Sequence, residues 1–187
     1  MVAYVVIPGI DGSDELHWQS RWQQEWDGAA VRIAPGSWTA PELADWVRAV
    51  QAGYEAVGGA AGGAAEPVVL VAHSLGCWAA ACWLAEVRPA GVAAFLVAPP
   101  DPRGPAFPRA AAPSFAGLAA RTLPCPAVVV AGEDDPYCDP GVSAGLARGW
   151  GARWESGGAH GHLNSASGLG DWPAGRALLA ALTADAG

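Results

Sequence analysis

Apolar residues in this chain arrive in short, unbroken runs separated by longer amphipathic stretches. The runs Val2–Ile7, Val31–Ala34, Val68–Ala72, Val92–Val97, Ala127–Ala131 and Ala152–Glu155 are mostly β-branched and continuous, the pattern of strands buried on both faces. Between them the periodicity becomes helical over Glu15–Trp26, Pro41–Val57, Cys77–Val87, Pro140–Trp150 and Trp172–Thr183. Strand and helix alternate along the chain, which predicts an α/β fold whose mostly parallel sheet of about six strands carries helices on both faces. Pro41 suits a first helical position, with Thr39 or Ala40 before it as cap. In the first helix Trp18, Trp22 and Trp26 recur every four residues, so they share one face and read as a packed aromatic stripe. Trp18 is also a candidate for lining a ligand pocket.

Two segments break the rhythm. The low-complexity stretch G-G-A-A-G-G-A-A over Gly58–Ala65 reads as a flexible surface loop, a tolerated insertion rather than a linker, because strands continue on both sides. The Pro-rich stretch Pro99–Pro126 is long for a connection between strands, and such loops tend to be functional. Its position would make it overhang a site at the end of the sheet.

With 187 residues, 52% of them hydrophobic, the chain fits one domain over 1–187 with a single core. A net charge of −8 with only 15% charged residues leaves no basic face, so nucleic acid is not an expected partner. No run reaches the length of a spanning helix, and Met1–Ile7 is too short and lacks the basic flank of a signal peptide. No membrane partner is expected, and the default compartment is the cytoplasm. Cys77, Cys82, Cys125 and Cys138 show neither C-x-x-C pairing nor histidines at zinc-ligand spacing, so they read as free, mostly buried thiols and no metal or cofactor is expected. Cys77 has a second reading, a reactive thiol in the first turn of a helix, set against that of a small packing residue. Oligomeric state has no signature in the sequence.

The chemistry concentrates around V-V-L-V-A-H-S-L-G, Val68–Gly76, where a strand delivers a serine into a turn flanked by small residues. A serine that presents its hydroxyl at the top of a sheet must sit in a sharp, strained strand-to-helix turn, and bulky neighbours two residues away would clash. Ala72 and Gly76 occupy those places. Ala72 departs from the usual glycine by one methyl. A serine hydroxyl is a weak nucleophile at neutral pH and needs a base, with a third group to orient that base. In α/β-hydrolases these follow in the order serine, acid, histidine, each after the C-terminal end of a strand. Asp134 and Asp135 follow Ala127–Ala131 in A-G-E-D-D-P-Y, and His160 and His162 follow the last strand in G-G-A-H-G-H-L-N. Asp135 is favoured as the acid because Pro136 fixes the turn after it, whereas Asp134 suits a solvated or turn-capping carboxylate. His162 is favoured as the base because Gly161 permits a tight turn and Asn164 could satisfy nearby loop amides. His17 and His73 are the other histidines, and His73, adjoining Ser74, should point away as a packing or orienting residue.

Acyl transfer also needs donors for the developing oxyanion, each worth roughly 2.7–4 kcal/mol. The backbone N–H of Leu75 is one, at the start of a helix. The N–H of Ile10 is the other, in I-P-G-I-D-G-S, where Gly9 and Gly12 allow close approach to the serine. A phosphate cradle is the competing reading of that loop, but G-x-G-x-x-G and G-K-[ST] patterns are absent.

Four motifs, I-P-G-I-D-G-S-D-E-L-H-W-Q-S-R-W, V-A-H-S-L-G, E-D-D-P-Y-C and G-H-L-N-S-A-S-G-L-G-D-W-P-A-G, resemble over nearly the whole chain the retinoblastoma-binding protein 9 / YdeN-like family of small serine hydrolases. The resemblance implies a compact α/β-hydrolase fold with strand order 2-1-3-4-5-6, lacking the first two strands of larger relatives, and a triad of Ser74, Asp135 and His162. It also implies an ester or amide hydrolase without one shared substrate. A protein-binding role attributed to L-x-C-x-E in one vertebrate member does not carry over, because Leu123–Ala127 lacks the final acid.

The leading expectation is therefore a serine hydrolase acting on a small ester, thioester or activated amide, its acyl partner a small molecule. Trp18, Trp38, Phe107 and Phe115 are expected to shape an apolar acyl pocket beneath a minimal lid. A hydrolase-like fold used only for binding is the alternative from another class, and its signature would be a degenerate triad. Acyl transfer to an acceptor other than water shares the same acyl-enzyme and stays open.

Overall fold

The computed structural model describes residues 2–58 and 67–185, so all of the Gly58–Ala65 loop after Gly58 lies outside the described residues. Six strands form one sheet: β1 (Ala3–Ile7), β2 (Ala30–Arg32), β3 (Val68–His73), β4 (Val92–Val97), β5 (Ala127–Ala131) and β6 (Arg153–Ser156). Every pairing is parallel and the order is β2-β1-β3-β4-β5-β6, as the alternation of strand and helix requires. β3, β4 and β5 are buried at every residue, whereas the edge strands β2 and β6 are half-exposed. The edges are also where the sequence pattern is displaced. β2 covers 30–32 rather than 31–34, although the Ile33 N–H still reaches Val6 O at 3.0 Å, and β6 begins at Arg153 rather than Ala152.

Among the described residues five α-helices cover the sheet: α1 (Trp18–Trp26), α2 (Leu43–Ala56), α3 (Leu75–Val87), α4 (Pro140–Trp150) and α5 (Pro173–Asp185). Val68, Leu70 and Ala72 of β3 pack into one core with Trp46, Trp78 and Trp83 from α2 and α3. Val69 and Val71, one residue out of phase, pack on the opposite face with Trp18, Trp22 and Trp172. The period of two in a strand thus divides the tryptophans between two cores, one under α2, α3 and α4 and the other under α1 and α5.

α3 begins two residues before the expected Cys77 and α5 one residue after the expected Trp172, while the starts of α1 and α2 differ because side chains cap them. α1 begins at Trp18, not Glu15: Asp14 Oδ1 accepts the Leu16 and His17 amides, and His17 Nδ1 then accepts the Gln19 N–H. α2 begins at Leu43, so Pro41 is not its first residue; Glu42 caps it, its carboxylate accepting from Asp45 N at 2.9 Å. The Pro99–Pro126 segment is less a lid than part of the core. Phe107, Ala112, Phe115 and Leu123 are buried in it, Trp78 Nε1 donates to Pro100 O, and Leu43 N donates to Ser114 Oγ. Among the described residues no helix is long and apolar enough to cross a membrane.

Candidate active site

Ser74 sits between the end of β3 and the first residue of α3, with φ 54° and ψ −126°. For a non-glycine residue this is a strained conformation, costing on the order of 1–3 kcal/mol, and it persists only where the surroundings hold it. The Ser74 N–H donates to Val97 O of β4 at 2.9 Å, and β3 is paired on both sides. The tight passage explains the small neighbours. A Cβ on Gly76 would lie 2.4 Å from Ile7 O and 2.5 Å from Pro8 O, and one on Gly9 would lie 2.8 Å from Ser74 Cβ. Ala72 is fully buried within β3, where its single methyl is accommodated in the core.

The loops after β5 and β6 bring the other two groups to Ser74. His162 Nε2 is 2.8 Å from Ser74 Oγ, and His162 Nδ1 is 2.8 Å and 3.0 Å from the two carboxylate oxygens of Asp135. An ionised carboxylate can only accept, so Nδ1 carries the ring proton and Nε2 is left to accept from the Ser74 hydroxyl. The Asp135 side chain is 1% exposed, and its Oδ1 also accepts the Tyr137 N–H. Asp134 turns elsewhere: its Oδ1 accepts the Gly161 N–H at 2.7 Å and fastens the histidine loop to the aspartate loop. His160 is exposed and its ring lies against Gly158.

The histidine loop has two more tethers, neither legible in the motif itself. His73 lies behind Ser74 with its Nε2 2.9 Å from His162 O, and a carbonyl can only accept, so His73 donates. Burial holds the His73 pKa well below its ordinary value, which keeps the ring neutral. Trp18 Nε1 donates to Leu163 O at 2.8 Å. On the opposite loop Arg32, on edge strand β2, donates to Gly12 O and Ser13 O, while buried Gln19 donates to Ile7 O at the end of β1 and to Val71 O within β3. A polar residue between two tryptophans on the buried side of α1 was the available signal for Gln19.

Above Ser74 lies a cleft of about 600 Å³. Ile10 and Leu75 line it, and among the described residues neither amide has a hydrogen-bond acceptor. Leu75 is the first residue of α3, where the unpaired amides and the positive end of the helix dipole favour negative charge. Leu75, Pro100, Pro108 and Ala111 supply apolar wall, and Tyr137 stands with its ring 4.6 Å from that of His162. The aromatic side chains expected to line an acyl pocket do not. Trp18 is 1% exposed in the α1–α5 core, Phe107 and Phe115 are buried in the other core, and Trp38 packs against Trp46 and Gly12. Each ring gains more from burial than from facing an open cleft. Cys77 is a packing residue: it is buried, its Sγ points to Val97 O at 3.3 Å, and burial pushes its pKa well above the ordinary range.

Residues 4–181 match the family described as serine hydrolase. The chain belongs to the serine hydrolase family. A solved structure described as a putative YdeN-like hydrolase from Pectobacterium atrosepticum is similar at 27% identity and TM-score 0.81, over 100% of this chain and 92% of that one. The ydeN gene product of B. subtilis shares the fold at 20% identity and TM-score 0.69, over 98% of each chain. A thermophilic esterase from Thermogutta terrifontis does so at 17% identity and TM-score 0.66, over 98% of this chain and 90% of that one. Comparison with curated proteins finds no match. Membership of the serine hydrolase family makes this chain a hydrolytic enzyme with an α/β-hydrolase fold.

Proposed function

We propose that the enzyme cleaves small carboxylic esters, thioesters or activated amides through an acyl-enzyme on Ser74. The observation that carries this reading is the unbroken line of hydrogen bonds from Asp135 through His162 to Ser74 at the floor of a cleft. Ser74 Oγ attacks the substrate carbonyl carbon as His162 Nε2 takes the hydroxyl proton, and the carbonyl oxygen becomes an oxyanion held by the Ile10 and Leu75 amides. Asp135 keeps the imidazole in the tautomer that can accept this proton and stabilises the imidazolium that results. Collapse of the tetrahedral intermediate expels the alcohol, thiol or amine, which leaves with the proton from His162. Water then enters, gives its proton to Nε2, and releases the acid while Ser74 Oγ recovers a proton.

Labelling by a fluorophosphonate tests the assignment. The wild-type protein should be labelled and Ser74→Ala should not. A folded wild-type protein that resists the probe would overturn the reading. A panel of p-nitrophenyl esters of increasing acyl length should show a maximum, because the apolar wall is bounded by Pro100, Pro108 and Ala111. Equal rates along the panel would count against a defined acyl site.

A further inference from the structure

The two sides of the cleft differ in chemistry. Leu75, Pro100, Pro108 and Ala111 supply its apolar lining, whereas Asp11, Ser13, Asp14 and His17 from the loop after β1 and Asn164 and Ser165 from the turn after His162 supply its polar lining. Ser165 Oγ donates to Asp14 Oδ1 at 2.8 Å, which joins the loop after β1 to the turn after His162. That oxygen also accepts the Leu16 and His17 amides, and these bonds hold the Asp14 carboxyl below the usual carboxylate range. Asp14 Oδ2 and both Asp11 carboxylate oxygens have no partner among the described residues. Arg32 donates to Gly12 O and Ser13 O of this wall, but among the described residues no arginine lines the cleft itself, and the chain contains no lysine. His17, also among the lining residues, is 3% exposed; its Nδ1 accepts the Gln19 N–H, and its buried Nε2 has no partner among the described residues.

We propose that the side of the cleft formed by Asp14, His17 and Ser165 is a leaving-group subsite that selects polar neutral or cationic alcohols and amines and rejects anionic ones. This rests on the assignment of Ser74 and His162 as nucleophile and base. His162 must protonate the departing atom, so the leaving group lies on its side of Ser74, the side that Asp14 borders. The acyl group points toward the apolar wall. An exposed carboxylate acts over roughly one Debye length, about 8 Å at physiological salt, so it reaches a charge within the cleft and is screened by added salt.

Three phenyl esters with the same acetyl group and leaving groups of matched acidity test this, one carrying a trimethylammonium, one neutral and one a sulfonate. The wild-type enzyme should favour the cationic over the anionic ester by about five- to tenfold in kcat/KM, the scale of one or two exposed charge pairs. That ratio should fall toward one in Asp14→Asn, which keeps an acceptor for the amides and for Ser165, and toward one in wild-type enzyme at high salt. Equal turnover of the charged esters by the wild-type enzyme, with the neutral ester cleaved, would overturn the subsite while leaving the hydrolase reading intact. A salt-insensitive ratio, or one unchanged in Asp14→Asn, would overturn the assignment to Asp14. Failure to cleave any ester, together with failure of Ser74 to label, would overturn both readings.

Discussion

Acid should unfold this protein earlier than its surface charge suggests, because two imidazoles are buried side by side next to the cleft. The His17 and His73 rings lie 4.7 Å apart, at 3% and 4% exposure. Burial lowers the His17 pKa from 6.5 to about 4, and His73 is driven in the same direction. A group that binds its proton less readily when folded contributes its full stability above the unfolded pKa. The contribution drains away as pH falls from about 6.5 toward the folded value. For His17 a gap of about 2.5 units at 1.36 kcal/mol per unit gives roughly 3 kcal/mol over the whole window, of which about 2 kcal/mol is lost between pH 8 and pH 5. His73 adds to this. Urea unfolding followed by tryptophan fluorescence should therefore show a midpoint about 1 M lower at pH 5 than at pH 8, taking about 2 kcal/mol per molar for the urea dependence. His17→Asn keeps a capping acceptor for Gln19 N and has no proton to gain in this range, so it should lose much of that pH dependence even if its stability at pH 8 is lower. A wild-type midpoint that does not move over this range, or a full shift retained in His17→Asn, would refute the assignment of a neutral, buried His17.

Other outcomes follow from single contacts. Asp135→Asn should lower turnover by about 10⁴, through loss of the tautomer control that the carboxylate exerts on His162. Asp134→Asn keeps an acceptor for Gly161 N and should cost far less; equal losses in steady-state assays would contradict the distinct roles given to the two carboxylates. Gly76→Ala should destabilise the fold by at least about 2 kcal/mol, because the new methyl meets two backbone carbonyls that cannot swing aside. Chemical denaturation measures it, and a neutral result would mean that α3 does not abut the end of β1. Native-state alkylation read by mass spectrometry should leave Cys77 and Cys138 unmodified, since burial pushes the Cys77 pKa well up and that of Cys138 up to about 12.

What could be read from the sequence follows from where each residue is buried. β1, β3, β4 and β5 are covered on both faces, so their apolar runs are continuous and their places plain; β2 and β6 lie at the edges, where half-exposed residues blur the ends. The order of Ser74, Asp135 and His162 along the chain was equally plain, because parallel strands put all their C-terminal ends on one side of the sheet. Which face an aromatic ring takes was not. The spacing of Trp18 reads first as a packed stripe and second as a wall of the cleft; it lies inside, as the stripe requires, and steadies the His162 loop through one N–H. Arg32 and Gln19 were missed for a related reason. They hold backbone carbonyls of distant segments: a polar residue on the buried side of α1 hints at Gln19, but no local pattern marks Arg32 or names the partners of either.

The proposed reaction requires that Ser74 carry an acyl group during turnover. Rapid mixing with p-nitrophenyl acetate, acid quenching and mass spectrometry of the digested protein addresses it directly. One added acetyl group should appear on Ser74 together with a burst of nitrophenolate, and it should be absent from Ser74→Ala. Turnover without any acetylated Ser74, under conditions where the burst is resolved, would contradict it.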